Sequence, residues 1–307
     1  MAGTVGMNIV VSGATGFIGS ALVPHLESEG HQVTRLVRRR PRPGSGEIFW
    51  DPARGEVDTA GLQGTEGAVH LAGESLSRGR WTRRKKGRII DSRSRGTRLL
   101  ATTLAGLTPL PKVLVSPSAI GYYGDRGEEE LTEESAPGEG FLAEVCRAWE
   151  EAAAPAEEAG IRLVHPRFGL VLGRGGGALQ QMLLPFRLGV GGRVGAGHQQ
   201  WSWISLADHV RALAFVLAHE ELSGPVNLVA PHPVSNRVFT KALGRVLRRP
   251  TVFPLPAPLL RLMFGEVADE MLLSGARVLP AKLLAAGFSF RYPELEGALR
   301  EALGRPE

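Results

Sequence analysis

Cysteine is nearly absent from the sequence, which has only Cys146 in 307 residues. One thiol can form neither an internal disulfide nor a multi-cysteine metal site, so we expect no metal, and a reducing compartment suits this cysteine usage. No apolar run reaches the roughly 18 to 20 residues that a membrane span needs. Residues 1–7 lack the basic segment with which a signal peptide begins. These absences predict a cytoplasmic protein with no membrane partner.

Lysine is scarce as well, so arginine supplies most of the 36 positive charges. The net charge is +5. The densest basic run, residues 78–88, contains one aromatic residue, Trp81. Nucleic-acid grooves instead interleave basic and aromatic residues over a wide face, so we expect no nucleic-acid partner. The run is predicted to be a solvated helix face, and contact with an anionic ligand is the alternative.

Strand and helix signals alternate through the first half, which is typical of a parallel sheet covered by helices. The predicted strands are residues 8–12, 32–38, 47–51, 67–72, 112–116 and 161–166. The predicted helices run from the first glycine-rich turn to Gly30, from 86 to 107, from 141 to 160 and from 205 to 219. The fold class is therefore α/β, with a Rossmann-type doubly wound sheet. We predict this domain over 1–172 and a smaller substrate-side domain over 173–307, with segments that return to the first sheet.

A glycine-rich motif follows the first predicted strand and opens a helix. Its sequence is Gly13-Ala14-Thr15-Gly16-Phe17-Ile18-Gly19. Glycines at this spacing permit a tight turn and let backbone N–H groups approach a pyrophosphate at the positive end of the helix dipole. Within a βαβ unit the motif predicts a dinucleotide site formed by Gly13, Thr15, Gly16, Phe17, Ile18 and Gly19. A purely structural turn is the alternative.

The end of the second strand distinguishes NAD from NADP. An NAD site would place Asp or Glu there to bind the ribose 2′-hydroxyl. This sequence has Arg38, Arg39 and Arg40, with no acid from Gln32 through Gly46. Guanidinium groups pair well with a 2′-phosphate, so NADP(H) is the predicted cofactor, bound by Arg38 and Arg39.

The fourth strand ends in Leu71-Ala72-Gly73-Glu74. Ligands of open α/β sheets lie beyond the carboxyl ends of the strands, so this turn is predicted to pass near the adenosine and pyrophosphate. Glu74 then points toward the mouth of the crevice. A substrate contact and a charge at the helix entry are equally compatible with it.

Together with these motifs, the run Ser116-Pro117-Ser118-Ala119-Ile120-Gly121-Tyr122-Tyr123-Gly124 makes the chain resemble an extended short-chain dehydrogenase/reductase. More narrowly, it resembles divergent "epimerase family" proteins, which are named after nucleoside-diphosphate-sugar epimerases. That subgroup has patterns similar to residues 141–146, 167–173 and 201–204, and a small C-terminal module similar to residues 264–290.

The wider superfamily implies a serine that works with a Tyr-x-x-x-Lys pair, in which tyrosine is the acid/base and lysine lowers its pKa. Ser118 matches the serine, but the pair falls on Phe141 and Val145, and no Tyr-x-x-x-Lys occurs anywhere in the chain. A proton donor must then come from elsewhere. The candidates are Tyr122, Tyr123, Glu74 and His198.

The remaining predicted site residues come from the position of their segments. Arg93 is expected to contact a cofactor phosphate, whereas Arg167 and Phe168 are expected on the nicotinamide side. Trp201 is predicted to be core and pocket wall, with a stacking platform for an aromatic substrate as the alternative.

Two functions stay open at this stage. The first is an NADP(H)-dependent oxidoreductase or epimerase-like enzyme with an unidentified small-molecule substrate and a non-standard proton donor. The second is a non-catalytic NADP(H)-binding sensor or scaffold. The missing tyrosine and lysine favour the second, whereas glycine-rich loops that would cover a ligand pocket favour the first.

Overall fold

A computed structural model describes residues 6–42, 44–76 and 79–305. Arg78, the first residue of the predicted basic run, lies outside them. The strands are β1 (Asn8–Ser12), β2 (Gln32–Val37), β3 (Glu47–Asp51), β4 (Glu56–Val57), β5 (Gly67–His70), β6 (Val113–Val115), β7 (Ser118–Ala119), β8 (Glu130–Leu131), β9 (Arg162–Phe168), β10 (Leu170–Leu172), β11 (Gln200–Trp201), β12 (Trp203–Ser205), β13 (Gly224–Leu228), β14 (Val234–Ser235) and β15 (Arg277–Val278).

The helices alternate with these strands in the first half and dominate the second. They are α1 (Gly19–Ser28), α2 (Arg83–Ala105), α3 (Phe141–Glu151), α4 (Ala154–Glu158), α5 (Gly177–Arg187), α6 (Leu206–Ala218), α7 (Asn236–Leu247), α8 (Ala257–Phe264), α9 (Ala281–Ala285) and α10 (Leu295–Ala302). Short 3₁₀ turns cover Ala60–Leu62 and Ile120–Tyr123, and a π-helical turn covers Ala268–Leu273.

The central sheet has the strand order β13-β9-β6-β5-β1-β2-β3-β4. All neighbours in it are parallel except β3 and β4. The order in which successive strands are added to the sheet reverses between β1 and β5, and a Rossmann sheet opens its ligand crevice at this position. The predicted Rossmann-type α/β fold is therefore confirmed.

Two apolar clusters cover the two faces of this sheet. On one face, α1 and α6 pack on β1, β6 and β9 through side chains such as Leu22, Leu26 and Leu213. On the other face, α2 and α4 pack through Leu100, Leu104 and other buried side chains. Burial on both sides explains why these strands are nearly continuous apolar runs.

The single helix predicted over residues 141–160 is wrong, because the structure has α3 and α4 in its place. Pro155 lies in the first turn of α4. Its ring would clash with the carbonyl of residue 151 if one helix continued, and its nitrogen donates no hydrogen bond. The chain therefore ends α3 at Glu151 and starts a new helix.

The second half does not fold entirely apart from the first. Strand β13 pairs in parallel with β9 and so extends the sheet, and α6 packs on α1. Helices α5, α7 and α10 form a separate cluster around Trp201 and Phe239 with the small sheets. No helix of the described residues is long and apolar enough to span a bilayer.

Candidate cofactor and active site

The glycine-rich turn packs against the chain that leaves β5. Gly13 has a φ of +67°, and a Cβ there would lie 2.7 Å from the carbonyl oxygen of Leu71. A Cβ on Gly19 would lie 2.3 Å from the carbonyl oxygen of Gly13. Only glycine fits at both positions, so α1 starts directly above the crevice between β1 and β5.

The start of α1 is suited to an anion. Its N-cap residue makes no side-chain hydrogen bond, and its first turn has no acidic residue. Among the described residues, none accepts a hydrogen bond from the amides of Phe17, Ile18 and Gly19. Unpaired N–H groups at the positive end of a helix dipole bind phosphate. The turn therefore fits the pyrophosphate of a dinucleotide.

The Phe17 ring contacts a glycine-rich segment of the second half. A Cβ on Gly176 would lie 2.4 Å from the Phe17 ring, and one on Gly173 would lie 3.0 Å from it. The ring thus packs beneath the glycine-rich segment 173–177, which has room for it only because those residues lack side chains. Phe17 can contribute its amide to the cofactor site while its side chain fixes the loop from the second half.

Arg38 and Arg39 are exposed at the end of β2, but an acid lies closer than the sequence suggested. Glu47 begins the neighbouring strand β3, and its carboxylate accepts from Arg39 Nη2 at 2.6 Å. Glu47 follows directly after the acid-free residues 32–46, and parallel pairing of Arg35 with Glu47 brings its carboxylate beside the arginines. The pair orients one Arg39 nitrogen and leaves Arg38 without an ion pair to a described residue.

A buried pair of polar side chains lies under the Leu71–Gly73 turn. Ser12 Oγ lies 2.7 Å from His70 Nδ1, and it accepts from the amide of Ala72 at 3.3 Å. Burial, with the nearby Arg93 cation, lowers the pKa of His70 to about 4, so the ring is neutral at neutral pH. The pair joins the ends of β1 and β5. No motif in the sequence indicated it, because the two residues are far apart along the chain.

Glu74 lies in a cluster of cations at the mouth of the crevice. Its carboxylate accepts from Lys85 Nζ at 2.7 Å, and this hydrogen bond lowers the pKa of Glu74. Arg93 is buried, and its Nη1 donates to the Glu74 carbonyl at 3.0 Å. Glu74 is therefore an ionised partner of Lys85, which disfavours it as a proton donor. The predicted contact between Arg93 and a phosphate stays a prediction.

Ser118 is the buried first residue of β7, beside β9. Its Oγ forms no well-aligned hydrogen bond with a described residue. Its polar neighbour is the thiol of Cys146. The thiol itself donates to the Ala119 carbonyl at 3.5 Å. Burial raises the pKa of Cys146 to about 11, so it is a neutral thiol rather than a nucleophile.

The positions of the superfamily tyrosine and lysine form an apolar wall. Phe141 and Val145 are buried with Trp81, Ile89 and Val267. The rings of Phe141 and Trp81 meet edge to face at 5.0 Å. This wall can exclude water from a substrate but cannot transfer a proton.

Tyr123 belongs to a buried polar network. Its hydroxyl donates to Asn227 Oδ1 at 2.7 Å and accepts from Arg167 Nη1 at 2.9 Å. Glu150 binds Arg167 through two further hydrogen bonds of 2.9 and 3.0 Å. Burial raises the pKa of Tyr123, and its side chain has no exposed surface. Its hydroxyl is thus committed to protein partners, which disfavours it as the proton donor.

Arg167 and Phe168 point to opposite faces of β9, as successive strand residues do. The Arg167 guanidinium is held by Glu150 of α3, and Phe168 contacts His209 of α6 with ring centroids 4.3 Å apart. The expectation that both side chains line one nicotinamide side therefore conflicts with the strand geometry. Burial alone would lower the pKa of Arg167, but the hydrogen bonds with Glu150 raise it above its ordinary value.

Tyr122 differs from its neighbour. Its ring lies under Arg167, with the guanidinium carbon 3.5 Å from the ring centroid. The side chain is only partly buried, and no described residue forms a hydrogen bond with its hydroxyl. Of the two tyrosines, Tyr122 is the one whose hydroxyl a ligand can reach.

Two predicted substrate-side residues lie among the helices of the second half. His198 is exposed, and its Nε2 lies 3.0 Å from Arg237 Nη2 at the start of α7. Trp201 is buried against Phe239, with ring centroids 5.0 Å apart, which supports the core interpretation over a stacking platform. No group of three or more potential metal ligands occurs in the part of the chain that the structure describes.

The sheet order, the glycine turn and the serine after β6 define a Rossmann-type protein of the short-chain dehydrogenase/reductase kind. Residues 9–229 match the NAD dependent epimerase/dehydratase family, and residues 255–302 match a domain of unknown function, DUF1731. The chain therefore belongs to the NAD dependent epimerase/dehydratase family, and the predicted resemblance is confirmed.

The similarity to individual relatives extends over nearly the whole chain. Epimerase family protein Mb2239 of Mycobacterium bovis is 43% identical over 298 residues, covering 97% of this chain and 98% of that protein. The human epimerase family protein SDR39U1 is 39% identical over 298 residues, covering 96% and 99%. A crystal structure of human SDR39U1 with NADPH superposes with a TM-score of 0.88, at 37% identity, over 98% of this chain and all of that one.

Proposed function

We propose that this protein is an NADP(H)-dependent oxidoreductase that acts on a small molecule without the usual tyrosine–lysine pair. The cofactor is NADP(H), in agreement with the sequence-based prediction. Three findings support it: membership of an NAD dependent family, a similar structure solved with NADPH, and the guanidinium groups of Arg38 and Arg39 where a 2′-phosphate would bind.

The amides of the α1 turn would hold the pyrophosphate, and the Leu71–Gly73 turn would contact the adenosine side. When bound, NADPH supplies a hydride to an electrophilic carbon. The protein would position the substrate beside the cofactor and donate a proton. Phe141, Val145 and Trp81 would exclude water.

Ser118 is the observation that carries the catalytic part of this proposal. A buried hydroxyl normally has a strong hydrogen-bond partner, and among the described residues Ser118 Oγ has only the weakly bonding Cys146 thiol beside it. A substrate oxygen beside Ser118 would supply the partner. Tyr122 is the proposed proton donor, because its hydroxyl is uncommitted, whereas the Tyr123 hydroxyl is engaged with Asn227 and the Glu74 carboxylate with Lys85.

The experiment is single-turnover oxidation of bound NADPH with a panel of aldehydes, ketones and sugar nucleotides. We expect slow oxidation with a subset of substrates. Ser118→Ala is expected to reduce the rate at least tenfold while NADPH affinity changes by less than about threefold, since the serine contacts the substrate oxygen and not the phosphates. Tyr122→Phe is expected to slow the reaction similarly.

Cys146→Ser is the matched control, because it changes the polar neighbour of Ser118 without touching the substrate oxygen. Tight NADPH binding with no oxidation by any substrate would favour the sensor or scaffold, for which the engaged Tyr123–Arg167 network is the supporting observation. A fast reaction indifferent to both Ser118→Ala and Tyr122→Phe would place the chemistry in another pocket.

A further inference from the structure

A group of large apolar side chains is left in solvent on the second half of the chain. Leu184 and Leu188 are 67% and 69% exposed, and Val252 and Phe253 are 71% and 55% exposed. Val190 lies between them in the fold and is 51% exposed. Scattered apolar residues on a surface are ordinary, but a contiguous patch of this kind marks an interaction site.

These residues are contiguous because segment 187–195 runs beside segment 249–255. Arg249 Nε donates to the Arg187 carbonyl at 2.9 Å, and the Leu255 amide donates to the Arg193 carbonyl at 2.8 Å. Val194 and Leu255 form a parallel bridge. The end of α5 and the chain after α7 therefore present one surface, which we call the apolar–basic face.

Cations surround the apolar side chains of this face. Two open depressions of about 550 and 360 Å³ lie along α7. Their basic lining residues are Arg193, Arg237, Lys241, Arg245, Arg248 and Arg249. In the described part of the chain, Arg245 is the one member of this set that pairs with a carboxylate, Glu296 at 3.1 Å. The sequence has no acidic residue from Leu222 through Gly265.

The composition of the face indicates what kind of surface it fits. A second copy of the chain meeting it around a two-fold axis would bring cations against cations, which is unfavourable. A nucleic acid would engage the cations, but Phe253 is the single aromatic among the exposed apolar side chains named above, which gives the bases little to stack on. The headgroup region of an anionic bilayer offers phosphates to the cations and hydrocarbon to the leucines, valines and phenylalanine.

We propose that the apolar–basic face attaches the protein to the surface of a membrane rich in anionic phospholipid. The attachment is peripheral, because the helices of the described residues are too short or too polar to cross a bilayer. The lack of a spanning segment, on which the prediction of no membrane partner rests, does not exclude this attachment, because separate short segments combine their apolar residues on one face.

Flotation of the full chain with vesicles tests this proposal. Vesicles of phosphatidylcholine mixed with phosphatidylglycerol are compared with vesicles of phosphatidylcholine alone, at low and high salt. We expect binding to the anionic vesicles, little binding to the neutral ones, and weaker binding at high salt because screening reduces the attraction.

The double variant Lys241→Gln/Arg248→Gln is expected to bind anionic vesicles at least about tenfold more weakly, since each basic residue near the surface contributes to the free energy of membrane binding. Leu188→Ser/Phe253→Ser is expected to weaken binding as well.

The matched control is Arg54→Gln/Arg95→Gln, which removes the same charge from exposed side chains elsewhere. Melting followed by circular dichroism is the check that each variant is folded. The proposal fails if the parent does not bind anionic vesicles, if it binds neutral vesicles equally, or if the control weakens binding as much as the double variant. Concentration-dependent dimerisation that Leu188→Ser/Phe253→Ser abolishes, without vesicle binding, would instead assign the face to a second copy.

Discussion

Adjacent tyrosines in this protein have different environments, and single substitutions can separate their roles. Tyr123→Phe would leave Arg167 Nη1 and Asn227 Oδ1 in the interior without their shared partner. An unsatisfied buried polar group costs about 1–3 kcal/mol, so we expect the free energy of unfolding to fall by that amount. Tyr122→Phe removes no such bond and is the control. Urea unfolding of both variants measures the difference, and equal losses would mean that the network does not stabilise the fold.

Two buried histidines predict how stability depends on pH. Burial lowers the pKa of His70 to about 4 and that of His209 to about 3, from 6.5. Because the folded-state values lie below the unfolded-state value, the unfolded chain binds more protons at acid pH. The stability that the neutral rings provide is complete above about pH 6.5 and is lost as the pH falls toward 4, by up to about 1.4 kcal/mol per pH unit for each ring.

Replacing one of these rings tests that dependence. We expect His209→Leu to flatten the fall in unfolding free energy between neutral and acid pH, as measured by urea titration at several pH values. His232→Leu, at an exposed position, is the control. A His209→Leu protein with the parent's full pH dependence would show that His209 does not titrate in this way.

At the residue scale, a conformational requirement can be predicted from the sequence where it depends on the local segment. Gly13 and Gly19 could be assigned from their spacing, because the turn that requires them is local. The pairing of Arg39 with Glu47, and of Ser12 with His70, depends on which strands are neighbours. Such contacts become visible only when the sheet order is known.

At the scale of elements, α3 shows why the usual catalytic pair cannot simply be restored. Val145 is buried among Trp81, Ile89 and Val267, so Val145→Lys would place an unpaired charge in an apolar cluster. We expect it to lower the free energy of unfolding by more than about 3 kcal/mol. Val145→Thr, which keeps the volume and adds one hydroxyl, is expected to cost much less. A stable Val145→Lys protein would show that this wall opens to solvent.

The N-terminus of α3 is linked to the C-terminal module. Glu270 of the π-helical turn accepts hydrogen bonds from the amides of Phe141 and Leu142, each at 3.2 Å. A carboxylate at this position satisfies two unpaired amides and the helix dipole. We expect Glu270→Ala to lower the free energy of unfolding by about 0.5–2 kcal/mol, by the measure of other helix caps, and Glu270→Gln to lose less. Asp269→Ala, which removes an exposed ion pair next to it, is the control for thermal melting; an equal loss there would contradict a capping role.

Element boundaries were predictable where composition marks them, as for β1 and β3. The division of residues 141–160 into α3 and α4 was missed because Pro155 sits in an otherwise strong helical pattern, where the missing N–H and the ring clash outweigh helix propensity. The hydrogen bonds from α3 to Glu270 were unpredictable, because they join residues that are distant along the chain.

For the whole molecule, the alternation of strands and helices was sufficient to predict the Rossmann-type sheet, since parallel strands need helical crossovers. The sequence also indicated that later segments rejoin the sheet. Strand β13, from the second half, pairs in parallel with β9 of the central sheet. The boundary near residue 172 stays a prediction. The packing of α5, α7 and α10 around Trp201 could not be foreseen, because apolar helices carry no signal of their partners.

Cofactor preference involves the whole molecule, because it requires the α1 turn, the end of β2 and the Leu71–Gly73 turn together. Isothermal titration calorimetry of the parent protein with NADPH and with NADH is the most direct measurement. We predict that NADPH binds at least about tenfold more tightly, since a single charge-assisted hydrogen bond to the 2′-phosphate provides that factor. Arg39→Asp is predicted to weaken NADPH binding and to spare NADH. Equal affinities of the parent for NADPH and NADH would contradict the assignment of this protein as NADP(H)-dependent.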